Sequence, residues 1–332
     1  MSIEPVTGEA AIVQEFLAPL AAGYPGAFGL ADDCAAFTPT PGHDLVVKTD
    51  PVAAGVHFFP DDAPEDIAWK ALAVNVSDLA AKAAIPRAYL MALSFPEAPA
   101  RDWMGRFANG LATAQSTFGM HLIGGDTDKR PGPVTISITA FGEVPAGQMV
   151  RRGAAKAGDL IYVSGTLGDA GAGLMLRRDR ASARTRDFSD AAVEFLVARY
   201  LRPQPRLALK DALRPHARAA MDVSDGLAKD LGRMCRASGC GAAIDIAKLP
   251  LSDALRAPRT DWSWQRFALA SGDDYEILCA VRPETSAAFE QAAASGGIPV
   301  TRIGHMTAGG GLTVTDIDGR PLDLDITGWD HF

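Results

Sequence analysis

The chemistry-bearing residues that stand out in this chain are aspartates, because of where they fall. They recur beside glycines or at the ends of apolar stretches: Asp32-Asp33, Thr49-Asp50, Gly124-Gly-Asp126-Thr127, Asp222-Val-Ser-Asp225-Gly226 and Gly272-Asp273-Asp274. Ordinary surface acids scatter over exposed helix faces. A backbone turn after a strand can instead aim several carboxylates into one cleft. Carboxylate oxygens are the natural ligands of Mg²⁺, which is held by one or two of them together with substrate phosphates. An aspartate beside a glycine is also what a plain turn uses, so each segment alone reads either way. Five such segments favour metal and phosphate chemistry, provided the fold brings them together.

Asp78 has a different setting. It falls inside a helical stretch, three residues after Asn75 and four before Lys82. A solvated Asp78–Lys82 pair at i,i+4 is one account. Its neighbours Ala73, Val74, Val76, Leu79, Ala80 and Ala81 point instead to burial, where an acid needs a metal or an ion-pair partner. Ser164-Gly-Thr-Leu-Gly-Asp-Ala-Gly-Ala-Gly173 follows a strand and opens a helix. Such a loop can offer backbone N–H groups to a phosphate or simply turn tightly for close helix–strand packing. It matches neither the P-loop nor the dinucleotide fingerprint. The six histidines show no zinc spacing, and there is no nucleophile elbow. Cys34, Cys235, Cys240 and Cys279 form no C-x-x-C pair and read as isolated reduced thiols.

Elements to hold these residues follow from periodicity. Residues 8–22 read as an amphipathic helix, 45–50 as a strand with an acidic end, and 65–84 as a helix opening on Pro64, Glu65 and Asp66. Strands follow at 88–94 and 134–142, with a helix at 101–118 between them. Pro145-Ala-Gly-Gln148 is a turn-rich link, and we place a domain boundary near residue 147, giving 1–147 and 148–332. The second half mixes helices (169–178, 189–200, 226–238, 284–294) with strands (160–163, 218–222, 242–246, 276–281, 312–315). The expected class is therefore mixed α/β in both halves, and 332 residues suit two domains. The arginine-rich stretch 177–187 reads as a solvated loop.

Composition narrows the function. With 48% hydrophobic and 22% charged residues the chain is an ordinary globular protein. A net charge of −8 argues against a dedicated nucleic-acid binder, whereas metal ions can supply the positive charge that a small anionic ligand requires. No apolar run approaches the length of a membrane span. The opening MSIEPVTGEAAIVQEF lacks a basic segment followed by an apolar one, so the expectation is a cytoplasmic protein without a signal peptide.

Taken together, the segments resemble the thiamine-monophosphate kinase family, within the aminoimidazole-ribonucleotide-synthetase-like superfamily. The resemblance rests on Ala31-Asp-Asp-Cys-Ala35, Lys48-Thr-Asp50, Gly55-Val-His-Phe58, Trp69-Lys-Ala-Leu-Ala-Val-Asn-Val-Ser-Asp-Leu-Ala-Ala81 and Leu122-Ile-Gly-Gly-Asp-Thr127. It continues through Asp159-Leu-Ile-Tyr-Val-Ser-Gly-Thr-Leu-Gly-Asp169, Met221-Asp-Val-Ser-Asp-Gly-Leu227, Ser271-Gly-Asp-Asp-Tyr-Glu276 and Gly328-Trp-Asp-His-Phe332. The superfamily shares the acidic segments; the GVHF, SGDDYE and GWDHF elements point to this kinase.

The resemblance implies a two-domain fold, a homodimer paired through its N-terminal domains, and ATP- and Mg²⁺-dependent phosphorylation of thiamine monophosphate. Asp33, Thr49, Asp50, Asp78, Asp126, Asp222 and Asp225 fall at the family's magnesium-ligand positions. Gly125, Asp126, Arg151 and Ser224 match ATP-contacting positions, and His57, Asp273 and Trp329 match substrate-contacting ones. The acceptor phosphate is already ionised near neutral pH, so no general base is expected, and positioning plus charge neutralisation is what the reaction needs. There are departures. Leu30-Ala31 replaces glycines, Lys82-Ala83 replaces a common Met-Gly, and Asp273 replaces a common Gly or Glu. Lys48 stands where a small hydroxyl ligand is common; an ammonium cannot ligate Mg²⁺ but could replace its charge. The rival readings are another ATP-using synthetase of the superfamily and a non-catalytic nucleotide-binding module. A selenophosphate synthetase would want an activated Cys near the N-terminus, and the acidic neighbours of Cys34 would raise its pKa instead.

Overall fold

The computed structural model describes residues 4–257, 263–316 and 318–322. They form two compact units, Met1–Leu79 with Ala84–Gly147, and Ala80–Ala83 with Gln148–Phe332.

The first unit is built on β1 (His43–Ala53), α1 (Pro64–Ala81), β2 (Ile85–Phe95), α2 (Arg101–Phe118), β3 (His121–Lys129) and β4 (Thr135–Pro145). The strands form one sheet in the order β1-β4-β2-β3, with β2 and β3 parallel and the other pairs antiparallel. Helix α1 opens on Pro64, whose missing N–H is not needed there, and Glu65 and Asp66 complement the dipole in its first turn. It is apolar on nearly every side, with Ala68, Leu72, Ala73, Val76 and Leu79 all buried, as befits a helix inside a core. Helix α2 buries the stripe Met104, Phe107, Leu111, Ala114 and Phe118. Along β1, Val46 and Val52 turn inward while Leu45 and Val47 alternate outward and remain exposed.

The N-terminal stretch differs from the single helix its pattern suggests. Glu9–Ala11 and Ala18–Ala21 are α-helical, and Ile12–Leu17 between them is a wider π-helical stretch. Pro19 has no N–H to donate to the Glu15 carbonyl, so a regular α-helix cannot run through.

The second unit contains β5 (Leu160–Ser164), α3 (Asp169–Arg178), α4 (Asp190–Leu201), α5 (Lys210–His216), β6 (Ala217–Val223), α6 (Leu227–Ser238) and β7 (Gly241–Asp245). It continues with α7 (Trp264–Ala270), β8 (Glu276–Val281), α8 (Ser286–Ser295), β9 (Val300–Thr307) and β10 (Leu312–Thr315). The six strands are ordered β10-β7-β9-β5-β8-β6, antiparallel except for β10 with β7. Both faces are covered. Ile161, Val163, Met221, Leu278 and Ala280 pack with Leu176, Leu196, Leu231 and Trp264 on one side. Tyr162, Ala220, Ile277 and Cys279 pack with Leu213 and Phe289 on the other. This explains why Glu276–Val281 is buried at every position.

Candidate functional site

In the first unit β1 and α1 bring Lys48, Asp50 and Asp78 together. Lys48 and Asp50 are two apart on a strand and therefore share a face. Asn75, fully buried, accepts the Asp50 N–H at 2.9 Å through Oδ1 and donates through Nδ2 to the Ala71 carbonyl at 3.1 Å. It thus pins the strand to the helix. Asp78 lies one turn further along that helix. Lys48 Nζ stands 3.0 Å from one Asp50 oxygen and 2.7 Å from one Asp78 oxygen. Burial alone would depress the Lys48 pKa; the Asp78 and then the Asp50 carboxylates outweigh it and hold the pKa above the ordinary lysine value. Asp78, part-buried, thus has an ion-pair partner in Lys48. Lys82 lies beyond the last residue of α1, Ala83 after it turns left-handed at φ 57°, and Lys82 Nζ donates to the Ala220 carbonyl at 2.7 Å.

The sheet separates the remaining first-unit residues. Strand alternation puts Thr49 on the opposite face from Asp50; its hydroxyl donates to the Ile138 carbonyl at 3.1 Å and accepts from Thr139 at 3.1 Å. Asp50, Ile138, Met91 and Gly125 share one row across the four strands. With strands ~4.8 Å apart, Asp50 and Gly125 are about 14 Å apart along the sheet. Asp126, next to Gly125 on the far edge strand, is exposed and accepts the Thr127 N–H. Asp33 is exposed in the bend after a helical turn. His57, in the turn leaving β1, accepts the Ala53 N–H at Nδ1, 3.1 Å; a neutral ring therefore has its proton on Nε2.

In the second unit the two acidic segments are joined through their backbones. The Asp273 N–H donates to the Ser224 carbonyl at 2.9 Å and the Tyr275 N–H to the Val223 carbonyl at 2.8 Å. Gly272 makes this approach possible: a Cβ there would lie 2.3 Å from the Ser224 oxygen. Asp273 and Tyr275 themselves have φ of 67° and 51°, a conformation that Asp tolerates better than most residues. Asp222, buried, is the penultimate residue of β6. Asp225 lies against Arg233 at 2.5 Å and Lys229 at 3.8 Å. Arg151 is exposed, its carbonyl accepting the Ala220 N–H. Trp329 lies outside the described residues.

Several residues that hold these segments were not singled out by sequence. Asp230 is fully buried and accepts the N–H groups of Ser224 at 3.0 Å and Asp225 at 2.9 Å, while Arg233 bonds it at 2.7 Å. Burial raises its pKa despite these donors. The Asp230–Arg233 spacing of three on one helix was the available signal. The glycine loop 164–173 is settled in the same way. Its Gly168 and Ala170 N–H groups already donate to the two oxygens of Asp274, at 2.7 and 3.2 Å. A buried carboxylate fills the place where a phosphate was one possibility. Glu276, fully buried, accepts from Ser164 at 2.6 Å and pairs with Arg199 at 2.9 Å and with Arg206. Distant sequence positions give no sign of that cluster.

The donor atoms suit Mg²⁺ in kind, being hard oxygens. At the point where Asp50 and Asp78 converge they do not suit it, because Lys48 Nζ already stands there. Among the described residues no group of three or more His, Cys, Asp or Glu could hold a metal unaided. Among them, too, no helix is long and apolar enough to cross a membrane.

Residues 31–144 match the family model of the AIR synthase related protein N-terminal domain, and 156–317 that of its C-terminal domain. The thiamine-monophosphate kinase of Salmonella typhimurium is 43% identical over 305 residues, covering 92% of this chain and 91% of that one. The crystal structure of thiamine-monophosphate kinase from Stenotrophomonas maltophilia K279a is 41% identical with a TM-score of 0.79, covering 88% and 91% of the two chains. A solved structure named AaThiL, complexed with AMPPCP and TMP, is 31% identical with a TM-score of 0.77, covering 98% and 97%. The chain belongs to the thiamine-monophosphate kinase family.

Proposed function

We propose that this chain transfers the terminal phosphoryl group of ATP to thiamine monophosphate, giving thiamine diphosphate and ADP. The observation that carries this reading is the relative complexed with AMPPCP and TMP, which this chain matches over 98% of its length. AMPPCP is ATP with carbon in place of the β–γ bridging oxygen, so donor and acceptor are held by one protein. The attacking phosphate oxygen is ionised at neutral pH and needs no base. What opposes the reaction is repulsion between two anions, on a chain that is itself at −8.

Mg²⁺ would supply neutralisation and in-line alignment of the phosphates. Asp33 and Asp126 in the first unit, and Asp222 and Asp225 in the second, are the acids we assign to it. Because Asp50 and Asp126 are separated by the width of the sheet, no single ion with ~2.1 Å bonds serves both. Arg151 offers an exposed guanidinium to a phosphate, with the Gly125 and Ser224 backbones alongside nucleotide in their respective units. His57 and Asp273 are assigned to the acceptor, Asp273 countering the cationic thiazolium; Trp329 shares that assignment by resemblance alone.

We also assign a homodimer through the outer face of the first unit's sheet. The exposed Leu45 and Val47 support it, since apolar strand residues on an open sheet face favour a covering partner. Val47→Asp should turn the dimer into a monomer in sedimentation velocity; an unchanged mass would remove this face from consideration. The activity is tested by incubating purified protein with ATP, Mg²⁺ and thiamine monophosphate and following thiamine diphosphate by chromatography. ATP turnover without that product would overturn the assignment.

A further inference from the structure

We propose that Lys48 is a built-in counter-cation that takes the place of one divalent ion between Asp50 and Asp78. This rests on the reading of the acidic segments as a metal and phosphate site. The ammonium is 3.0 Å from Asp50 and 2.7 Å from Asp78, ordinary lengths for charge-assisted hydrogen bonds. A Mg²⁺ bound to the same Asp78 oxygen at ~2.1 Å would be no more than about 5 Å from Nζ. Two cations would then share two carboxylates, and neither could be fully neutralised. An ammonium has no lone pair, so Lys48 cannot join a coordination shell; it can only replace the ion.

The surroundings hold this arrangement in place. The alternation of β1 turns Lys48 and Asp50 to one face. The buried Asn75 clamps the Asp50 backbone to α1 at the turn preceding Asp78. The Asp78 side chain is 19% exposed and that of Lys48 30%, so the pair is partly withdrawn from water and its charges are poorly screened. The chain thus satisfies the two carboxylates without a metal and needs one ion fewer for the same site.

The test counts Mn²⁺ bound to the nucleotide-free full-length protein by electron paramagnetic resonance. Lys48→Ala should bind one more Mn²⁺ per chain than the parent, and Lys48→Arg, which keeps the charge, should bind the same number as the parent. In EDTA the melting temperature of Lys48→Ala should fall by several degrees and return when Mn²⁺ is added. Should Lys48→Ala fail to fold, Asp78→Asn in the parent decides: its Mn²⁺ count should equal the parent's. An unchanged count in folded Lys48→Ala, or one ion lost in Asp78→Asn, would overturn the proposal. Neither ATP nor thiamine monophosphate enters these measurements, so their outcome is independent of whether the kinase reaction is observed.

Discussion

Asp126 and Asp230 are two aspartates of one chain in opposite settings. Asp126 is exposed on an edge strand and bonds the neighbouring Thr127 N–H. Asp126→Asn should change stability by no more than about 0.5 kcal/mol and lower kcat on the order of 10²-fold, the scale of losing one charge-stabilising group. Equal activity with the same melting curve would remove Asp126 from the site. Asp230 is fully buried and holds the Ser224 and Asp225 N–H groups. Asp230→Ala should cost about 1–3 kcal/mol in urea unfolding, because those donors lose their acceptor, and should also lower turnover by shifting the Asp225 backbone. A stability loss with full turnover would show that the Ser224–Asp225 loop does not take part. Sequence alone marks the first kind of residue as a candidate and passes over the second. An acid beside a glycine advertises itself, whereas Asp230 looks like any charged residue on a helix until its neighbours are placed. Lys48 gave the opposite lesson. Its type was legible as odd for a metal position, but only the fold shows Nζ bridging two carboxylates from separate elements.

The two strands that periodicity overlooks, β3 and β9, carry glycine in mid-strand. β3 holds Gly124-Gly125 and β9 holds Gly304, and neither alternates as a strand should. The glycines are there because strands approach closely. A Cβ on Gly125 would lie 1.8 Å from the Met91 carbonyl oxygen, and one on Gly304 would lie 2.1 Å from that of Ala243. Glycine weakens the strand signal in the sequence while permitting the pairing in the fold. By contrast, β10 has no glycine, and α2 keeps a regular apolar period although Gly110 packs against the Glu65 backbone, 2.6 Å from where its Cβ would stand; both were readable from pattern. The adjacent pair gives a sharp comparison. At Gly124 a Cβ would meet only the end of the Leu90 side chain, at 3.1 Å, which can move. Gly124→Ala should therefore be tolerated within about 1 kcal/mol, while Gly125→Ala, pressed against backbone, should cost about 3 kcal/mol. Chemical denaturation of the two variants decides it; equal losses would mean that β3 does not pair with β2 in this register.

Across the whole molecule, polar groups of the chain itself stand where ligands seemed possible. Lys48 answers Asp50 and Asp78, and Asp274 answers the N–H groups of the glycine loop. The second case has a pH signature. Burial raises the Asp274 pKa well above the ordinary aspartate value, and the Gly168 and Ala170 donors, with Arg199 nearby, only partly offset it. Asp169 beside it and Asp230 are raised in the same direction, again chiefly by burial. A carboxyl whose folded pKa exceeds its unfolded one binds the proton more tightly in the folded state. Its contribution is full below about pH 4, near the unfolded value, and is lost as pH rises through the folded value. Glu143 works the other way. Burial opposes its ionisation, but the Thr40 hydrogen bonds and Arg87 prevail and lower its pKa, so it stabilises above the ordinary range and loses that contribution as pH falls. The net profile therefore mixes signs, and one substitution isolates the Asp274 share. Asp274→Asn cannot titrate, keeps one acceptor for the loop, and leaves Glu143, Asp169 and Asp230 in place. Urea unfolding of parent and variant should show the parent's advantage shrinking as pH is raised from 5 to 8, because the unfolded chain ionises this carboxyl while the folded chain holds its proton. A constant difference across that range would mean that Asp274 has the same protonation in the folded and unfolded chain, and the buried carboxylate would then have no part in the pH dependence of the fold.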